Sequence, residues 1–131
     1  MSNADPVRAL YAAFAKGDMP AALATMAPDI VWNEAENYPY ADRNPYVGPE
    51  AVLHGVFARI GGDWDGFSAI SDEIIDAGET IVSLGHYSGT FKANGKPMRA
   101  QFAHVFRVKG GKIAGFQQYA DTLGTAIAMG R

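Results

Sequence analysis

The first third of the chain carries apolar residues at helical spacing. Val7, Leu10, Tyr11 and Phe14 recur at i, i+3, i+4 and i+7, the stripe that one face of an α-helix buries. Asp5-Pro6 ahead of them reads as the start, with Asp5 as the cap and a proline where its missing N–H costs nothing. Gly17 stops this helix and Asp18 caps a second, in which Met19, Leu23 and Met26 point inward until Pro28-Asp29 breaks it. The period then changes to two: Ile30, Trp32 and Glu34 alternate with Val31 and Asn33, as in a strand. A loop rich in Tyr, Pro and Asn runs over 37–47. Gly48-Pro49-Glu50 opens a third helix, apolar at Val52, Leu53, Val56, Phe57 and Ile60 and ended by Gly61-Gly62.

From Trp64 onward the punctuation belongs to hairpins. Ala77-Gly78-Glu79, Asn94-Gly95 and Gly110-Gly111 separate strand-like segments at 66–76, 80–91, 97–109 and 112–120. In segment 97–109, Met98, Ala100, Phe102, His104, Phe106 and Val108 share one face, and Arg99, Gln101, Arg107 and Lys109 the other. Segment 66–76 alternates poorly, which predicts a bulge or an edge. Asp121 then caps a short helix carrying Leu123 and Ile127. This order predicts an α+β fold: three helices packed on a long, curved, mostly antiparallel sheet, with a cavity between the layers.

Composition narrows the function classes. A chain of 131 residues without repeat or linker suits a single domain over 1–131. A net charge of −3 with no Lys/Arg cluster argues against a nucleic-acid or anionic-membrane partner. Zero Cys removes a thiol nucleophile, a thiolate metal site and any disulfide framework. No apolar run approaches a membrane span, and the start has neither the basic nor the apolar segment of a signal peptide, so a cytoplasmic location is expected.

Leu10-Tyr11-Ala12-Ala13-Phe14 before Gly17-Asp18 is followed by Ala27-Pro28-Asp29-Ile30-Val31-Trp32 and by Gly48 at the third helix. Val105-Phe106-Arg107-Val108 then precedes Gly111-Lys112-Ile113, and Tyr119-Ala120-Asp121 closes the series. In order and spacing these pieces resemble the nuclear transport factor 2-like superfamily, and within it the SnoaL-like and ketosteroid-isomerase-related proteins, over nearly the whole chain. The resemblance implies a cone-shaped roll with an internal pocket. That fold hosts isomerases, cyclases, epoxide hydrolases, dehydratases and proteins without catalysis, so function belongs to the pocket.

Counted in step with ketosteroid isomerases, the position of the general base falls on Glu34 and that of the buried hydrogen-bond-donating carboxylic acid on His104. The position of the first-helix tyrosine falls on Leu10, with Tyr11 adjacent but about 100° further round. The base is thus lengthened, one donor exchanged and the other lost, which argues against steroid isomerisation. The Asp-Arg-Asp arrangement of limonene-type epoxide hydrolases has no counterpart.

Each polar candidate carries two readings. His104, flanked at i±2 by Phe102 and Phe106, is either a neutral core imidazole or a pocket donor whose pKa burial lowers. Glu34, beside Trp32, is either a general base with a pKa raised to about 6 or a solvated carboxylate on an acidic rim with Glu36 and Asp42. Gln118, in phase with Phe116, orients a ligand or His104, or satisfies backbone groups. Tyr87 and Phe91 share a face, and Gly85 and Gly89 near them make room for a ligand or let the sheet bend. Trp32, Phe57, Phe102, Phe106 and Phe116 complete the expected pocket wall. Tyr38, Tyr40 and Tyr46 are loop aromatics, a lid or a dimer contact. His54 reads as surface and His86 as outward-facing. The three histidines therefore do not converge, and neither a metal nor an organic cofactor is expected.

These residues predict a small-ligand pocket. In a cofactor-independent cyclase or isomerase, Glu34 would move a proton next to the carbonyl of a small apolar compound while His104, with Gln118, steadies the enolate oxygen. Cyclisation fits the resemblance better than isomerisation. The alternative is a non-catalytic ligand-binding or dimerisation module. Under either, a homodimer is expected through the outer sheet face, where Val82, Leu84 and Val105 would otherwise be wet.

Overall fold

The computed structural model of the protein describes residues 2–131. Helix α1, Ala4–Lys16, buries Val7, Leu10 and Ala13 and ends at Gly17, whose φ of 68° returns its N–H to the Phe14 carbonyl (3.1 Å). Asp5 is not its cap. The first turn needs no internal N–H partners, so the helix starts ahead of the proline with Asn3 at the cap position, and the Asp5 carboxylate accepts from the Ser2 N–H (3.1 Å). Helix α2, Met19–Leu23, is capped by Asp18, which accepts from the Ala21 N–H (3.1 Å).

Strand β1, Met26–Asn33, begins two residues before the proline expected to break α2. Met26 pairs with Ile113, and pairing overrides helical spacing. Pro28, which lacks an N–H, falls where the β1 register shifts between Met26 and Val31. Loop 37–47 is not irregular throughout: it holds a 3₁₀ turn, Pro39–Arg43, and a short strand β2, Tyr46–Val47, paired with β1. Tyr38, Tyr40 and Tyr46 are buried within the chain, which leaves no exposed ring for a dimer contact. The Tyr40 hydroxyl donates to Asp63 (2.8 Å) and accepts from Trp64 Nε1 (3.0 Å), and the Tyr46 hydroxyl donates to the Tyr40 carbonyl (2.5 Å).

Helix α3 comprises Pro49–Val52, a π-helical turn Leu53–Phe57, and Ala58–Asp63. Gly61 and Gly62 lie inside it. Nothing crowds either residue, and the helix stops instead where Trp64 enters the sheet and is buried. In the π turn, Gly55 meets the Tyr46 ring so closely that a Cβ would lie 2.3 Å from it.

Strands β3 (Trp64–Ala77), β4 (Thr80–Phe91), β5 (Pro97–Lys109) and β6 (Lys112–Ala120) complete a six-stranded sheet in the order β2-β1-β6-β5-β4-β3. All pairs are antiparallel except β1–β6. Strand β3 is both an edge and bulged, with register shifts between Asp65 and Ser68 and between Ser71 and Glu73. Beside the second shift, a Cβ on Gly85 would stand 1.9 Å from the Ile70 carbonyl oxygen, so this glycine serves strand approach and bending. Gly89 faces the Phe67 backbone rather than a ligand space.

Every member of the Met98-to-Val108 inward set is buried, as are Ile30, Trp32 and Glu34. Full burial of such aliphatic and aromatic side chains is worth about 2 kcal/mol each, which fixes the strand phase. Helix α4, Thr122–Ala128, is capped by Asp121 accepting from the Gly124 N–H (2.9 Å). It buries Thr125 and Ala128 and turns Leu123 and Ile127 to solvent. Among the described residues no helix is long and apolar enough to cross a membrane.

Candidate active site

Helices α1 and α3 close over the concave sheet face and leave a cavity of about 50 Å³, several times the space one water needs. Glu34, the first residue after β1, and His104, on β5, both border it. Trp32, Tyr87, Phe106, Phe116 and Gln118 line it as the strand alternation predicts, and Phe57 lines it from α3. Phe91 does not; it packs edge-on against Trp64 (ring centroids 5.1 Å), near the β4 end. Phe102 does not line it either. It stacks on the His104 ring at 3.8 Å, beside its neighbour rather than facing the opening.

Two lining residues that carry a polar group were not among the expected site residues. Tyr11 projects from α1 beside Leu10, and Tyr38 reaches in from the loop after β1. The stripe that contains Val7 and Phe14 also contains Tyr11, so its inward orientation was readable. Tyr38 had no such signal.

His104 is held on both sides. The Tyr11 hydroxyl contacts Nδ1 at 2.6 Å and the Tyr87 hydroxyl contacts Nε2 at 2.5 Å. Burial lowers its pKa from 6.5 to about 3, so the ring is neutral and carries one N–H. The donor count assigns it. The Ala35 backbone N–H donates to Gln118 Oε1 (3.0 Å), which turns Gln118 Nε2 towards the Tyr87 oxygen (2.9 Å). Tyr87 accepts there, so its own hydrogen goes to His104 Nε2. The imidazole proton therefore sits on Nδ1 and is donated to the Tyr11 oxygen. The Tyr11 hydrogen is left to turn to Ser83, beside it, or to a ligand oxygen in the cavity. His104 thus has no N–H to offer a ligand directly, a correction to its expected role. Tyr11 takes that place.

Glu34 is buried rather than solvated on a rim. Asn44 clamps its backbone, accepting from the Glu34 N–H (3.0 Å) and donating to its carbonyl (2.8 Å), so the loop folds back over the end of β1. Burial raises the Glu34 pKa from 4.5 to about 8, against a smaller opposing effect of the Trp32 indole N–H, which donates to Oε2 at 3.2 Å. The shift exceeds the value near 6 expected from a neighbouring indole alone, because burial of the carboxyl outweighs the indole N–H. Among the described residues no hydrogen bond engages Oε1.

The cavity has two unlike ends. Phe14, Phe57, Ile60 and Phe67 also border an outer apolar groove with Met19 and Leu53. Glu34 and Gln118 also border an outer polar groove with Glu36, Asn44 and Thr122, which offers Glu34 a path for proton exchange. His54 is exposed beside Glu50 (3.2 Å) and His86 faces outward to Asp72 (3.0 Å). Among the described residues no cluster of His, Asp and Glu suits a metal ion.

The family model of the SnoaL-like domain matches residues 7–116. The chain belongs to the SnoaL-like family. A nuclear transport factor 2-like protein from Burkholderia thailandensis E264 is 39% identical, with 98% of each chain covered and a TM-score of 0.93. TerC, crystallised with polyporic acid, is 21% identical over 98% of each chain, with a TM-score of 0.86. IdmH from Streptomyces antibioticus, described as a candidate polyketide cyclase, is 20% identical over 100% of each chain, with a TM-score of 0.83. At these lower identities the likeness shows the fold alone. A comparison with curated proteins finds no match.

Proposed function

We propose that this SnoaL-like protein is a cofactor-independent cyclase- or isomerase-type enzyme that moves a proton next to the carbonyl of a small, largely apolar compound. The observation that carries this reading is the pairing, in one apolar cavity, of a carboxyl with a free oxygen and the terminal hydroxyl of a directed hydrogen-bond chain. The ionised Glu34 takes a proton from the carbon next to the carbonyl, the Tyr11 hydroxyl donates to the enolate oxygen as charge gathers there, and Glu34 then returns the proton or the carbanion attacks a second carbonyl. His104, Tyr87 and Gln118 are positioning residues that aim Tyr11. TerC with polyporic acid supports a small-ligand pocket in this fold, and IdmH supports the cyclase class.

Deuterium exchange next to the carbonyl of cyclohexanone, followed by proton NMR, tests the reading. Wild type should accelerate exchange, with the rate rising through a midpoint near pH 8 to a plateau as the carboxylate forms. Glu34→Gln should lower the rate by about 10²-fold or more. An equal rate in that variant removes the catalytic assignment. The engagement of both His104 nitrogens favours one alternative, a ligand-binding module without turnover, and cyclohexanone binding without exchange would select it.

The protein is proposed to work as a cytoplasmic homodimer through the outer sheet face. Val82, Leu84 and Val105 are already half-buried there, whereas Val31, Ile70, Ile75 and Tyr119 on the same face are exposed. Light scattering showing a monomer at micromolar concentration would overturn the dimer.

A further inference from the structure

One buried hydroxyl stands outside the hydrogen-bond chain that runs from Ala35 to Tyr11. Tyr38 is 3% exposed, borders the cavity, and its Oη is the one buried side-chain polar atom among the described residues with no hydrogen-bond partner. Natural folds seldom leave such a group unpaired without a use for it. Gln118 and Thr125 stand beside it, but neither makes a hydrogen bond to it. Gln118 binds Ala35 and Tyr87, and Thr125 donates to the Asp121 carbonyl (3.1 Å). The Tyr38 ring is packed against Tyr40 and Tyr87, with centroids 5.9 and 6.4 Å away. Burial first, and then the neighbouring Glu34, hold its pKa well above the ordinary tyrosine value, so the group remains a donor.

The placement of the two free donors matters. Tyr87 meets the His104 ring at Nε2 and Tyr11 meets it at Nδ1, on the opposite edge. Tyr38 lies beside Tyr87 and Glu34, so it borders the cavity from the Tyr87 side of His104 and Tyr11 borders it from the other nitrogen. Apolar rings form most of the wall between them, including Phe106 and Phe116.

We propose that Tyr38 is a ligand-binding residue whose hydroxyl donates to a second acceptor oxygen of a compound whose first carbonyl sits at Tyr11, so that the cavity selects small dicarbonyl compounds over monoketones. The proposal rests on the ligand-pocket reading above and deepens it by naming the substrate class.

NMR titration of the full chain with cyclohexanone, 1,4-cyclohexanedione and the longer 4-acetylcyclohexanone tests it at two oxygen spacings. Wild type should bind at least one diketone about tenfold more tightly than cyclohexanone, and Tyr38→Phe should bring that ratio to about one. Because the hydroxyl has no protein partner, Tyr38→Phe should melt within about 2 °C of wild type, whereas Tyr87→Phe, which breaks two bonds, should melt clearly lower. Diketones bound no more tightly than cyclohexanone, a preference that survives in Tyr38→Phe, or a melting loss as large as that of Tyr87→Phe would each overturn the proposal. If cyclohexanone itself fails to bind wild type, the ligand-pocket reading falls with it. If cyclohexanone binds and Tyr11→Phe weakens it while Tyr38→Phe leaves the diketone preference intact, only the role of Tyr38 falls.

Discussion

The direction of every hydrogen bond around His104 descends from one backbone amide. The Ala35 N–H can only donate, and that single constraint orients Gln118, then Tyr87, then the imidazole tautomer, and last the Tyr11 hydroxyl. A measurable state follows. The nitrogen-15 NMR spectrum should show His104 as the neutral Nδ1–H tautomer, unchanged from pH 8 down to 5, because burial keeps its pKa at about 3. An Nε2–H ring, or titration near the ordinary histidine value, would reverse the chain and leave Tyr11 without a free hydrogen. Gln118→Glu is a sharper probe: a buried carboxylate would accept from Tyr87 and disturb the tautomer.

Among the elements, legibility varied with how local the cause was. Segment 97–109 was read with its bounds and phase intact, because six inward residues of one period leave a single register. The end of α2 was misplaced because Met26 answers to Ile113, a partner 87 positions away that no local pattern announces. Asp5 looked like a cap, but helix starts are loosely constrained over the first turn. Gly85 gives this scale its prediction. Gly85→Ala drives a methyl into the Ile70 carbonyl at 1.9 Å, backbone that cannot rotate away, and should cost more than about 2 kcal/mol in urea denaturation. Gly89→Ala, meeting Phe67 at 3.3 Å, should cost under about 1 kcal/mol.

For the whole molecule, Glu34 and His104 give stability a characteristic pH dependence. The Glu34 pKa rises from 4.5 to about 8 on folding, so between those values the folded protein keeps a proton that the unfolded chain has released, and stability falls as pH rises. The His104 pKa drops from 6.5 to about 3, so there the unfolded chain holds the extra proton and stability rises with pH. The slopes oppose and cancel between 4.5 and 6.5. These two groups therefore give a curve that climbs to 4.5, levels, and declines from 6.5 to about 8. In Glu34→Gln the climb should continue to 6.5 and no decline follow, as urea titrations at stepped pH would show. A decline that persists in that variant belongs to another group.

Periodicity and turn chemistry, both local, were enough to specify the α+β roll, the inward faces of β1 and β5, and the meeting of Glu34 and His104 at one cavity. Those features depend on which side of a strand a residue occupies, and alternation records that directly. Tertiary structure alone decided what the meeting does. Loop 37–47 folds back through Asn44 to bury Glu34, and that burial raises its pKa. Tyr11 and Tyr87 occupy both nitrogens of His104, and Tyr38 arrives with its hydroxyl unpaired. Enclosure and hydrogen-bond saturation depend on chain segments distant in sequence, so no spacing along the chain encodes them.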